Sequence, residues 1–235
     1  MSTDRIDFIS AYCDRWCERC AYTSRCSAFA VSAAIAMCGD VREGLELAVG
    51  APRSVEPELA EAAAPEWSAE LANADMSAEE FAEFERREKE RRARIDQTPI
   101  MKIAHAVTVL AYRWCTARYD TVLAGADVVL KEALEIASHD AAFITAKLHR
   151  ALDGRDRHEE DEDEHPIQND WNGSAKVALI SIERSAAAWR VIAQSTGEET
   201  PVALADQLCA LRHEVEEAFP NARSFIRPGF DEPGR

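Results

Sequence analysis

Four of the seven cysteines in the chain, Cys13, Cys17, Cys20 and Cys26, fall close together near the N-terminus. Thiolates are soft ligands, and four of them in one place suit a tetrahedral Zn²⁺ or a [4Fe–4S] cluster. In Tyr12-Cys13-Asp14-Arg15-Trp16-Cys17-Glu18-Arg19-Cys20 the first three stand at i, i+4 and i+7. A continuous helix would carry them on one face. Cys26 would then point away, and joins them only if the chain turns between Cys20 and Cys26. Thr23-Ser24 offers that turn, together with a cap for a second helix. Cys26 would sit in the first turn of that helix, where backbone N–H groups and the positive end of the helix favour a thiolate. Arg15, Arg19 and Arg25 supply positive charge to offset an anionic thiolate centre.

The expectation is therefore a metal centre ligated by Cys13, Cys17, Cys20 and Cys26. The [4Fe–4S] cluster is favoured over structural Zn²⁺, because zinc knuckles usually present Cys-x2-Cys pairs and the spacing here contains only one. Cys-x3-Cys-x2-Cys is also the spacing of radical-SAM enzymes. Those need a strand-rich barrel, and no alternation of strand and helix patterns is visible in this chain, so that class is set aside. Cys38, Cys115 and Cys209 are read as packing residues, since free cysteine is commonly a small buried apolar group.

Composition sets the frame around these residues. The chain has 235 residues, 27 Lys+Arg against 43 Asp+Glu for a net charge of −16, and 47% apolar residues, enough for a sizeable core. Nine Gly and nine Pro are few, and Ala, Glu and Leu are abundant, so the composition favours helix. So negative a chain disfavours sequence-independent nucleic-acid binding and a polybasic membrane anchor. Met1 to Ser10 lead into no apolar stretch of signal-peptide form. The longest apolar run, Ala28 to Cys38, is well short of the roughly 20 residues of a spanning helix. The expected location is the cytoplasm, where an odd number of cysteines reads as free thiols or ligands.

Helix signals give an all-α expectation: one domain over 1–235, with four long helices in an antiparallel bundle and N-terminal cysteine-bearing helices packed on it. The first helix is expected over about Asp4 to Cys20 and the second from Thr23-Ser24 through Cys38, ended by Gly39. Residues 41–76 read as an irregular or short-helix excursion, with Pro57 and Pro65 as possible starts. Ser77-Ala78-Glu79-Glu80 has capping-box form, and Glu83/Arg87, Glu88/Arg92 and Glu90/Arg94 follow at i, i+4 spacing, which predicts an exposed, ion-paired helix. The long helices are placed from Thr98-Pro99 to about Tyr119, from Val122 to Asp153, from Asn172-Gly173-Ser174 to about Ser195, and from Thr200-Pro201 to about Ala218. Ile103, Val107, Leu110 and Trp114 form a core stripe. Residues 155–166 read as an acidic loop and 220–235 as an irregular tail.

The stretch from Ile6 to Cys26 resembles the N-terminus of a group of uncharacterised bacterial helical proteins that carry a Tyr-Cys-Asp-Arg-Trp-Cys-Glu-Arg-Cys segment, with Asn172-Gly173-Ser174-Ala175-Lys176 as a further point of likeness. The resemblance covers a small part of the chain. It adds weight to the cysteines and implies no activity.

Other constellations are weaker. Glu132, Glu135 and His139 fall at i, i+3 and i+7 beside Asp140, which makes Glu135 and His139 the second choice for metal ligands. A di-metal carboxylate bundle would want Glu-x-x-His on two helices, and the one Glu-x-x-His here, Glu162 to His165, lies in the acidic loop. The run His158 to His165 lacks the spaced oxygens and turn glycine of an EF-hand. Gly173-Ser174-Ala175-Lys176 lacks the upstream glycine and strand of a phosphate loop and reads as a helix cap. Two function classes follow: an iron–sulfur protein for electron transfer or redox sensing, with a protein redox partner, and an interaction or scaffold protein with one structural Zn²⁺ at the same cysteines and a partner surface on the charged 77–97 helix. A redox-thiol enzyme is a third, needing an accessible low-pKa cysteine and a resolving thiol.

Overall fold

A computed structural model describes residues 4–50, 77–158 and 165–231. The fold is all-α, and no strand occurs among the described residues. The helices are α1 (Ser27–Cys38), α2 (Val41–Val49), α3 (Ala78–Asp96), α4 (Pro99–Ala124), α5 (Val128–His158), α6 (Asp170–Thr196) and α7 (Glu199–Ala218). Short 3₁₀ turns lie at Ile9–Ala11, Cys17–Arg19, Thr23–Arg25 and Ala222–Ser224. The chain divides into two compact units, one of Met1–Ser10 with Trp16–Glu90 and one of Ala11–Arg15 with Arg91–Arg235.

In the first unit, α1 packs on α2. Gly39 in the left-handed region (φ 71°) ends α1, and the Asp40 carboxylate accepts from Glu43 N at 2.9 Å to cap α2. Gly44 lets the two helices meet, since a Cβ there would lie 2.5 Å from Ile35 Cα. The Ser77 capping box closes as its sequence requires: Ser77 Oγ accepts from Glu80 N at 3.2 Å, and Glu80 Oε2 accepts from Ser77 N at 2.8 Å. The expected Glu83–Arg87 pair forms at 2.9 Å, while Glu90 takes Arg86 at 2.8 Å. Arg94, which like Asp156 belongs to the second unit, instead reaches that residue on α5 at 2.9 Å. Candidate starts at Pro57 and Pro65 lie outside the described residues.

The second unit contains the bundle of four long helices. Helix α4 packs on α5 and α7, α5 on α6, and α6 on α7, so the contacts close around one core. Thr98 caps α4 by accepting from Met101 N at 3.3 Å, with Pro99 in the first turn. The expected stripe is core: Val107 and Trp114 are buried, and Ile103 and Leu110 pack at its edge. Trp114 meets Trp189 of α6 edge-on, with centroids 5.2 Å apart. Its Nε1 donates to Glu198 at 2.7 Å, ahead of α7, and Arg118 binds the same carboxylate.

Four helix boundaries differ from expectation. Helix α4 runs on to Ala124, and the break falls at 125–127, so α5 starts at Val128 and continues past Asp153 and Gly154 to His158. Asp127 Oδ1 accepts from Leu130 N at 2.8 Å, an acceptor for the first turn of α5. Helix α6 starts three residues early because Asn169, not Asn172, is its cap, accepting from Asn172 N at 2.9 Å. The tail after Pro220 packs through buried Ala222 and Phe225, as far as residue 231.

Candidate metal centre

The cysteine segment is not a continuous helix. Phe8 and Arg15 adopt left-handed φ angles of 59° and 60°. Such a conformation costs a non-glycine residue about 1–2 kcal/mol and cannot propagate an α-helix. Arg15 therefore breaks the run between Cys13 and Cys17, and the helical stripe at i, i+4 and i+7 does not form. What stands in its place is a pair of tight turns. Cys17–Arg19 is closed by Cys20 N donating to Cys17 O at 3.2 Å, and Thr23–Arg25 by Cys26 N donating to Thr23 O at 3.3 Å. The turn at Thr23-Ser24 is as expected, but the cap of α1 is Cys26 itself.

The sulfurs of Cys20 and Cys26 accept main-chain hydrogen bonds. Tyr22 N donates to Cys20 Sγ at 3.4 Å, and Phe29 N donates to Cys26 Sγ at 3.5 Å. Main-chain donors to cysteine sulfur also occur around metal-bound thiolates, where they tune the centre. All four cysteines are half-buried and outside any disulfide. The Arg19 guanidinium lies 4.0 Å from the Trp16 ring, while Arg25 is tied to Asp4, donating from Nε to the carbonyl and from a terminal nitrogen to the carboxylate, both at 2.9 Å. Arg25 is thus already neutralised locally, and less of its charge is left for thiolates than the sequence alone implies.

Cys13 belongs to the second unit, within the short segment Ala11–Arg15. Lys147 of α5 donates from Nζ to Ala11 O at 2.8 Å. Tyr12 OH donates to Asp170 Oδ1 at 3.2 Å, and the Tyr12 ring lies 4.7 Å from that of Phe225. Asp14 receives Arg184 of α6 at 2.6 Å. Arg184 also gives two nitrogens to the fully buried Asp140 of α5, at 3.0 and 2.6 Å. Lys147 is only 7% exposed. Burial pushes its pKa down to about 8, assisted by Arg150 and Arg15 and opposed by Cys13 and Asp170.

The second-choice residues Glu135 and His139 both lie on α5. His139 Nδ1 lies 3.0 Å from Asp140 Oδ1, which Arg184 already holds, while Glu135 lies on the exposed side of α5. Among the described residues no three His, Cys, Asp or Glu side chains gather closely enough to hold a metal ion. Of the remaining cysteines, Cys115 and Cys209 pack against the core, and burial pushes the Cys115 thiol up. Cys209 also accepts from Arg190 at 3.0 Å. Cys38 is the half-buried last residue of α1. Of the acidic run, 159–164 lie outside the described residues, and His165 Nδ1 accepts from Ile167 N and Gln168 N.

Gly173 lies inside α6 rather than at its cap, and a Cβ there would meet the Tyr12 ring at 2.3 Å and Phe225 at 2.7 Å. Lys176 pairs with Asp231 at 2.7 Å. Sequence reasoning missed Asp140 and Lys147 as structural anchors. Their signal was present: both fall on the helical stripe that includes Ala133, Ala137, Ile144 and Ala151, all buried, so two charges stand on an otherwise apolar face.

Among the described residues no helix is long and apolar enough to cross a membrane. No protein-family model, curated protein or solved structure matches the chain.

Proposed function

We propose that Cys13, Cys17, Cys20 and Cys26 ligate a [4Fe–4S] cluster, and that the protein transfers electrons or senses redox state in the cytoplasm together with a protein redox partner. The reading is carried by the main-chain N–H donors on Cys20 and Cys26, in a segment that concentrates four thiols outside any disulfide. Hydrogen bonds to sulfur stabilise its charge and tune a cluster's potential. Such a cluster, when bound, supplies reversible one-electron transfer. The Tyr22 and Phe29 amides donate to two of the sulfurs, and the Arg19 guanidinium stacks on Trp16. Since the described residues contain no preassembled ligand group, ligation itself must draw the thiols together, coupling metal binding to local folding.

One observation favours Zn²⁺ instead. Cys17 and Cys20 bracket a tight turn in which the Tyr22 amide meets the second sulfur, a geometry that suits a structural zinc site. In that reading the protein is a scaffold, and the ion-paired face of α3 is its partner surface. Protein purified without oxygen separates the two. About four irons and four labile sulfides per chain, with absorption near 400 nm that each Cys→Ser change abolishes or alters, support the cluster. One zinc without iron supports the scaffold, and metal-free protein from cells supplied with both metals defeats both readings.

A further inference from the structure

Ala11–Arg15 is held from both sides of Cys13 by side chains of the bundle. Lys147 binds the carbonyl of Ala11, Asp170 receives the hydroxyl of Tyr12, and Arg184 binds the carboxylate of Asp14. These anchors are expensive. Lys147 is nearly buried, and Arg184 is shared with the fully buried Asp140. Burying charge contributes little net stability against an apolar alternative, and its best-attested use is to specify one arrangement. Gly173 is a second, independent provision for the same segment. Glycine in a helix interior loses roughly 1 kcal/mol against alanine, yet here it gives the Tyr12 ring room to lie against α6. The residue after Asp14 is the left-handed Arg15, so the main chain leaves this anchored run in a conformation that its surroundings must enforce.

We infer that Lys147 and Arg184 are positioning residues for Cys13: by clamping Ala11 and Asp14 they fix the main chain around the thiol and present it as a preorganised ligand. The inference rests on the metal reading above. Neither side chain is assigned to the metal. Arg184 acts through Asp14 and Lys147 through the Ala11 carbonyl, with its ammonium close enough to Cys13 for their charges to interact. A metal that meets an already oriented first ligand loses less ordering entropy than one that must order all four.

The test uses the full-length, metal-free chain and Co²⁺ as the probe. Asp14→Ala cuts the link to Arg184 without leaving the buried Asp140 unpaired, and Lys147→Met removes the other clamp while keeping an unbranched, buryable side chain. In both variants amide hydrogen exchange over residues 11–16 is expected to speed up by about tenfold while exchange in α6 stays as in wild type. On adding Co²⁺, both are expected to lose about a quarter of the sulfur-to-cobalt charge-transfer intensity, as Cys13→Ser does, with three thiolates left. Unchanged exchange and full intensity in both variants would overturn the positioning role. A wild-type chain with no sulfur-to-cobalt band defeats ligation of a single ion by these thiols without touching the clamp, and the exchange data then decide whether the clamp exists.

Discussion

Lys147 shows how a single residue in this fold trades stability for placement. Its ammonium gives up a proton near pH 8 in the folded chain, against about 10.4 in an unfolded one. Between those values the unfolded chain binds more protons, so this group adds stability as pH rises and carries its full desolvation cost below pH 8. Lys147→Met is therefore expected to be most favourable relative to wild type below pH 8, with the difference shrinking between pH 8 and 10. Urea denaturation of both proteins across that range measures it, and a pH-independent difference would show that the ammonium is not desolvated. Gly173 makes the opposite kind of prediction. Alanine is the better helix former, but its Cβ would collide with Tyr12 and Phe225. Gly173→Ala should destabilise by about 1–3 kcal/mol, and Tyr12→Leu in the same chain should recover part of that loss in thermal unfolding.

At the scale of elements, local chemistry was legible where a side chain closes its own turn. The Ser77 box, the Thr98-Pro99 start and the Gly39 stop are all where the sequence puts them, because each depends on atoms within four residues. Ser77→Ala should cost about 1 kcal/mol of helix stability, read as faster hydrogen exchange in the first turn of α3, and unchanged exchange would mean that the box contributes nothing there. The same reasoning failed where distant groups decide. Asn172 resembles a cap, but Asn169 takes that role and Asn172 Nδ2 is held by the carbonyls of Pro166 and Ile167. The cysteine spacing is helical on paper, yet Arg15 is left-handed, and a non-glycine residue in that conformation leaves no mark in sequence. What holds the segment is the set of bonds from Lys147, Asp170 and Arg184, more than a hundred residues away in the chain.

At the scale of the whole molecule, the all-α class and the four long helices were readable from composition, proline placement and apolar period, since burying one face of each helix leaves few alternatives. The bundle closes its own core through α4 to α7 without help from any thiol of 17–26. Removing a bound metal with a chelator is accordingly expected to raise hydrogen exchange in residues 16–26 while leaving α4 to α7 protected. Exchange that rises throughout the bundle would show that the metal supports the entire fold. The central claim is the four-thiolate centre, and X-ray absorption at the iron and zinc edges of protein purified without oxygen tests it most directly. The account predicts iron in an all-sulfur first shell with iron neighbours behind it, lost in the Cys→Ser variants. A first shell of nitrogen and oxygen, or no bound metal at either edge, would contradict it.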